Sequence, residues 1–130
     1  MTTHAPVRTV LADDEPAVLH ALVGLFASAQ RVEIVATAST GEELLRAVEL
    51  HAPALVVTDV YMPGGGEQLF DRLATVHPKP YVIALSGMAS PNLRRRITRT
   101  GAARLLRKGL DDPLVAAMDA LDGPADTPRH

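Results

Sequence analysis

The sequence has no cysteine and no tryptophan, and aromatic residues make up only 3% of its 130 positions. The missing thiols exclude a disulfide framework and a thiolate metal site within this chain. So few rings leave neither a base-stacking platform nor an aromatic cage for a cationic ligand. No apolar run approaches membrane-spanning length. The first six residues hold no apolar segment of signal-peptide size. A cytoplasmic location without membrane contact is the expectation. Neither sign of charge is in large excess: 13 Lys and Arg stand against 15 Asp and Glu, a net charge of −2. The chain as a whole is therefore no electrostatic footprint for nucleic acid or acidic lipid.

What is present is an alternation of short apolar runs with helix-period segments, in a length that suits one domain with a real core. Residues 7–12 form a β-rich run ending at Asp13-Asp14. Pro16 suits the first turn of a helix, with Val18, Leu19, Leu22, Val23, Leu25 and Phe26 as its core stripe. A second strand is predicted over 32–37, followed by a helix capped by Ser39 or Thr40, with Leu44, Leu45 and Val48 inward. Residues 54–58 are apolar on both faces, as a central parallel strand requires. The Met62-Pro63-Gly64-Gly65-Gly66 loop follows, glycine-rich and expected to be mobile. A helix around Leu69, Phe70 and Leu73 precedes a fourth strand over 81–85. Pro91 opens a helix whose few apolar members are Leu93 and Ile97. A fifth strand over 103–107 leads to a last helix with Leu114, Val115, Met118 and Leu121 inward, stopped by Gly123. Five strands alternating with five helices imply an α/β domain, a parallel sheet covered on both faces.

In such a sheet, ligands sit beyond the carboxyl ends of the strands. The first strand delivers Asp13 and Asp14 there, with Glu15 behind them. The third delivers Asp59, the fourth Ser86 and the fifth Lys108. Singly, each has an ordinary reading: a helix cap, a turn residue, a solvated charge. Together they are the polar types that one site needs. Crowded carboxylates call for a cation, and hard oxygen ligands suit Mg²⁺. A carboxylate attacks phosphorus only when the incoming oxygens are neutralised. The cation, the Lys108 ammonium and the Ser86 hydroxyl would share that task, with Asp59 as nucleophile.

The stretches Leu11-Ala12-Asp13-Asp14-Glu15-Pro16, Val57-Thr58-Asp59-Val60-Tyr61-Met62-Pro63-Gly64, Ala84-Leu85-Ser86-Gly87, and Gly101-Ala102 leading to Lys108 resemble the receiver domains of two-component response regulators. The resemblance covers about residues 7–121. It implies a flavodoxin-like (βα)5 three-layer sandwich, a five-stranded parallel sheet of order 2-1-3-4-5. It also implies that Asp14, Asp59 and the backbone carbonyl of Tyr61 bind Mg²⁺ directly, that Asp13 assists through water, and that a sensor histidine kinase supplies the phosphoryl group to Asp59. Leu105-Leu106-Arg107-Lys108-Gly109 is most similar to receivers that precede a LuxR-type helix-turn-helix. Contact with DNA is then expected only through a domain not present in this chain.

The sequence also departs from that pattern. Leu105 stands where many receivers carry Tyr or Phe, and Gly109 where many carry Pro. Tyr61 and Met88 occupy positions that flank the path of a water attacking the aspartyl phosphate, and bulk there would prolong its life. The fourth helix carries Arg94, Arg95, Arg96 and Arg99, with Arg104 and Arg107 following. This is either a solvated basic face or a docking surface. In the family, the fourth helix, fifth strand and fifth helix form a common output and homodimer face. Asp111, Asp112 or Asp119 of a second copy would complement it.

The domain is expected over 7–122, with an arm over 1–6 and a flexible tail or linker start over 123–130. The leading function is a phosphoacceptor that switches an output, transcription first, rather than a conventional enzyme. The alternative is a stand-alone receiver acting as a phosphorelay or docking module. An aspartyl phosphatase is disfavoured, because Tyr61 stands where such enzymes place a second Asp. A nucleotide-binding domain is disfavoured by the lack of a Gly-rich loop after the first strand.

Overall fold

The computed structural model describes residues 5–87 and 90–126, with side chains to Leu121. Five strands alternate with five helices: β1 (Val7–Ala12), α1 (Pro16–Ala27), β2 (Val32–Ala38), α2 (Gly41–His51), β3 (Leu55–Asp59), α3 (Glu67–Leu73), β4 (Tyr81–Ser86), α4 (Pro91–Thr100), β5 (Arg104–Arg107) and α5 (Pro113–Asp126). The strands are all parallel, in the order β2-β1-β3-β4-β5. This is the expected flavodoxin-like three-layer sandwich.

Each face of the sheet has its own core. Val10, Val56, Val82 and Ala84 point to one side, where Leu44, Val48, Leu69, Phe70, Leu73 and Ile97 of α2, α3 and α4 cover them. Leu11, Val57, Ile83 and Leu85 point to the other, under Leu22 and Phe26 of α1 and Ala116 and Ala117 of α5. The alternation follows from the two-residue period of a strand. Every residue of β3 is buried, as its continuous apolar run requires.

Local chemistry fixes several helix starts. Thr40 caps α2 by accepting the Glu43 N–H at 3.1 Å, and the Glu43 carboxylate accepts the Ser39 N–H at 2.8 Å. Ser90 caps α4 through the Leu93 N–H, and Asp112 caps α5 through Leu114 and Val115. Among the described residues, no helix is long and apolar enough to cross a membrane.

Three expectations need correction. Val115 is 54% exposed, because α5 turns Ala116 and Ala117 to the sheet instead. Gly123 does not stop α5, which continues to Asp126. Glycine keeps both backbone hydrogen-bonding groups, so it weakens a helix by about 1 kcal/mol without breaking its ladder. The glycine-rich loop after β3 is tied down at three points. The Gly65 N–H donates to Met62 O at 2.7 Å, Gly66 N–H to Val60 O at 2.9 Å, and Gly41 N–H to Pro63 O at 2.7 Å.

Candidate functional site

Because the strands are parallel, their carboxyl ends meet on one edge of the sheet. Ala12 pairs with Ala38 on one side and Thr58 on the other, so Asp13 and Asp59 emerge side by side. Asp59 itself pairs with Leu85, one residue before Ser86. The Lys108 N–H donates to Ser86 O at 2.9 Å, which extends the β4–β5 ladder to the lysine. Four strands thus bring Asp13, Asp14, Asp59, Ser86 and Lys108 together, all as the sequence predicts.

The Lys108 ammonium is the hub. Its Nζ lies 2.8 Å from Asp13 Oδ2, 3.4 Å from Asp59 Oδ1 and 3.6 Å from Glu15 Oε1. Asp13 is fully buried, and its second oxygen accepts the Glu15 N–H at 2.9 Å. Asp59 and Ser86 are each 4% exposed, whereas Asp14 is open to solvent. One oxygen from each of Asp13, Asp14 and Asp59 lies within 4.8 Å of the others, a grouping able to hold a metal ion. Glu15 is a member of the site to which no role attaches in sequence. Its reach to Lys108 depends on side-chain conformation, which no motif reports.

Three carboxylates contact one ammonium, with Asp14 beside them, and the imbalance shows in the titration. Burial first, and then repulsion from Asp13, push the Asp59 carboxyl above the usual carboxylate range. Lys108 and the Tyr61 N–H only partly oppose this. For Lys108, burial pulls downward, but the contacts with Asp13 and Asp59 outweigh it and hold the ammonium above its ordinary value. The Ser86 hydroxyl is buried without a hydrogen-bond partner among the described residues. A buried hydroxyl in that state carries a desolvation penalty until an acceptor arrives. The edge therefore combines an excess of carboxylates, which a cation would relieve, with two donors that an anionic group would satisfy.

Other sequence-predicted residues fall differently. The Tyr61 side chain is 53% exposed, so its ring gives Asp59 little cover. Met88 lies outside the described residues. Leu105 is partly buried and packs against the α2–α3–α4 core, with no ring to rotate. Gly109 has φ +82°, so the backbone itself demands glycine there. On the basic face, Arg96 pairs with Glu67 at 2.7 Å. Arg107 pairs with Asp111 at 3.1 Å within its own chain.

The family model of the response regulator receiver domain matches residues 9–119. Response regulator GacA of Pseudomonas protegens is 34% identical over 105 residues, which cover 79% of this chain and 49% of GacA. The chain thus spans about half the length of such curated relatives. Among solved structures, the signal receiver domain of the response regulator NarL from Mycobacterium tuberculosis superposes with a TM-score of 0.84 at 25% identity, covering 92% of this chain and 99% of that one. A two-component response regulator of the LuxR family from Aurantimonas sp. superposes with a TM-score of 0.79 at 24% identity, covering 90% and 85%. The strand order, the acidic edge and a family match over most of the length agree, and the chain belongs to the response regulator receiver domains.

Proposed function

We propose that Asp59 is the phosphoacceptor of a Mg²⁺-dependent transfer from a phosphohistidine on a sensor histidine kinase. The observation that carries this reading is the pair of donors at the sheet edge that holds Asp59. One is the unpartnered Ser86 hydroxyl, the other the Lys108 ammonium 3.4 Å from Asp59 Oδ1. Asp14, Asp59 and the Tyr61 carbonyl would hold the ion, with Asp13 assisting through water, since both Asp13 oxygens already have partners. Bound there, Mg²⁺ supplies positive charge against the carboxylates and the phosphoryl oxygens. An Asp59 oxygen forms the new bond to phosphorus as the P–N bond breaks, and the electron pair returns to the imidazole nitrogen. Lys108 and Ser86 hold phosphoryl oxygens through the transfer.

On this reading the chain is a phosphoacceptor rather than a conventional enzyme, and its receiver unit, expected over 7–122, takes in the whole of α5 to Asp126. The output is transcription, through a DNA-binding domain outside the receiver unit. The arginine face of α4 and β5 serves as the output contact. Within it, Asp111 is taken by Arg107 and Asp112 by the α5 cap, so a second copy brings only Asp119 of the three acids. The face therefore fits an acidic surface on a different partner better than its own copy.

Incubation with acetyl phosphate and Mg²⁺ is expected to add one phosphoryl group to the intact mass, and chelation to prevent it. Equal labelling under chelation would overturn the metal dependence. Asp14→Ala should weaken Mg²⁺ binding at least about tenfold, as loss of a direct carboxylate ligand, and more than Asp13→Ala does. Metal titration of the two variants checks the order. Asp13→Ala should also lower the melting temperature, because it strips Lys108 of its nearest partner and leaves the Glu15 N–H unmatched.

A further inference from the structure

Lys108 has to reach far. It lies just past β5, the edge strand, whereas Asp13 follows β1, three strand spacings away. A long side chain that spans the edge places its ammonium only as well as its own backbone is fixed. The residue after it is Gly109, at φ +82° and of the most permissive type. The turn that carries the lysine therefore needs a hold from elsewhere.

Asp111 supplies one. Its Oδ2 accepts the Arg107 backbone N–H at 2.8 Å and the Arg107 Nε–H at 3.2 Å, and its Oδ1 accepts from Nη2 at 3.1 Å. In return, the Leu110 and Asp111 N–H groups donate to Arg107 O at 3.1 and 2.9 Å. Both backbone groups of Arg107 are thus bound into the turn, while the Lys108 N–H is bound to Ser86 O at 2.9 Å. Arg107 also holds the Asp111 carboxyl below the usual carboxylate range, so the acceptor stays ionised at neutral pH. Neither α5 nor stability accounts for this clamp. Asp112, not Asp111, caps the helix. The Arg107 side chain is 67% exposed, and exposed ion pairs add little to stability.

We propose that Asp111 is a positioning residue for the phosphoryl transfer: its three bonds to Arg107 lock the β5–α5 turn and so keep the Lys108 ammonium between Asp13 and Asp59. The inference rests on the reading of Asp59 as phosphoacceptor and Lys108 as a holder of phosphoryl oxygen. Asp111 acts only through the lysine. Because the Lys108 N–H hangs on Ser86 O, the lock also fixes the two donors of the site relative to each other. A misplacement of about 1 Å in such a group can cost on the order of a hundredfold in rate. Loosening the turn, with water replacing the lost bonds, should cost about tenfold.

The test compares rates of phosphoryl uptake from acetyl phosphate with Mg²⁺, well below the melting transition. Asp111→Ala should be about tenfold slower than the parent, with little change in melting temperature. Asp111→Asn keeps an acceptor for the Arg107 N–H and should lose less. Asp112→Ala, which removes the α5 cap, should label at the parent rate. In a Lys108→Ala background, Asp111→Ala should cost nothing further, because the effect passes through the lysine. Side-chain ¹³C relaxation of Lys108 reads the positioning without phosphoryl chemistry: restricted in the parent, mobile in Asp111→Ala. A lysine equally restricted in both overturns the inference. So does an Asp111→Ala variant that labels at the parent rate, an equal loss in the Lys108→Ala background, or an equal loss in Asp112→Ala. A parent that takes up no phosphoryl group, although its lysine loosens in Asp111→Ala, would overturn the phosphoacceptor reading instead.

Discussion

Asp59→Asn is expected to abolish phosphoryl uptake from acetyl phosphate and, in the absence of metal, to raise the melting temperature. The first effect follows from geometry. Asp59 is the buried carboxylate that lies beside Lys108 without being its closest partner, so an oxygen is free to attack. Asp13 has one oxygen on Lys108 at 2.8 Å and the other on the Glu15 N–H. Asparagine keeps the shape and loses the nucleophile. The second effect follows from the titration. Burial and Asp13 raise the Asp59 carboxyl above its unfolded value. A raised carboxyl gives stability that is full below the ordinary carboxylate range and is lost as pH rises through the folded value. At neutral pH the ionised group therefore opposes folding, and the neutral amide removes that opposition. Lys108 keeps Asp13 in either case. Intact mass with acetyl phosphate and Mg²⁺, and thermal melts with and without Mg²⁺, check both halves. Mg²⁺ should raise the melting temperature of the parent far more than that of the variant. A mass gain that survives the substitution would sink the assignment of Asp59.

The site residues are legible in the sequence because a parallel sheet converts distant positions into neighbours by a simple rule. Asp13, Asp59, Ser86 and Lys108 each follow a run of β-forming residues, and parallel strands in register end together. Nothing comparable announces that Glu15 reaches Lys108 or that Asp111 folds back on Arg107. Those contacts depend on rotamers of long side chains, and sequence spacing does not set them. Val115 fits a helical stripe as well as Ala116 does. The winner is decided by how closely α5 lies on the sheet, where small residues allow the nearer approach. Gly123 has the chemistry of a helix stop, yet the α5 backbone hydrogen bonds continue past it. The three glycines at 64–66 predict freedom, but glycine also serves where backbones must touch, and here they do.

That contact carries a further large effect: Gly41→Ala is expected to destabilise the fold by about 2–4 kcal/mol, in the range of severe overpacking. A Cβ at 41 would lie 1.9 Å from Gly64 O and 2.5 Å from its carbonyl carbon. Both neighbours are backbone atoms, so no side chain can swing away. Gly64 is itself at φ +77°, and the Gly41 N–H bond to Pro63 O at 2.7 Å holds the two segments together. Either α2 or the loop must move. The loop begins at Asp59 and carries Tyr61, so its displacement should also weaken Mg²⁺ binding by the proposed carbonyl ligand. Gly101→Ala provides the comparison. Its Cβ would meet Phe70 O at 2.2 Å, a similar clash, but between α4 and α3 and away from the acidic edge. Both variants should melt roughly 10 °C below the parent, while only Gly41→Ala also loses Mg²⁺ affinity once folded. Thermal melts followed by metal titration well below the transition separate the two effects. If Gly41→Ala melts with the parent, the close approach of α2 and the loop is wrong. If the two variants bind Mg²⁺ equally well, the loop position does not govern the metal site.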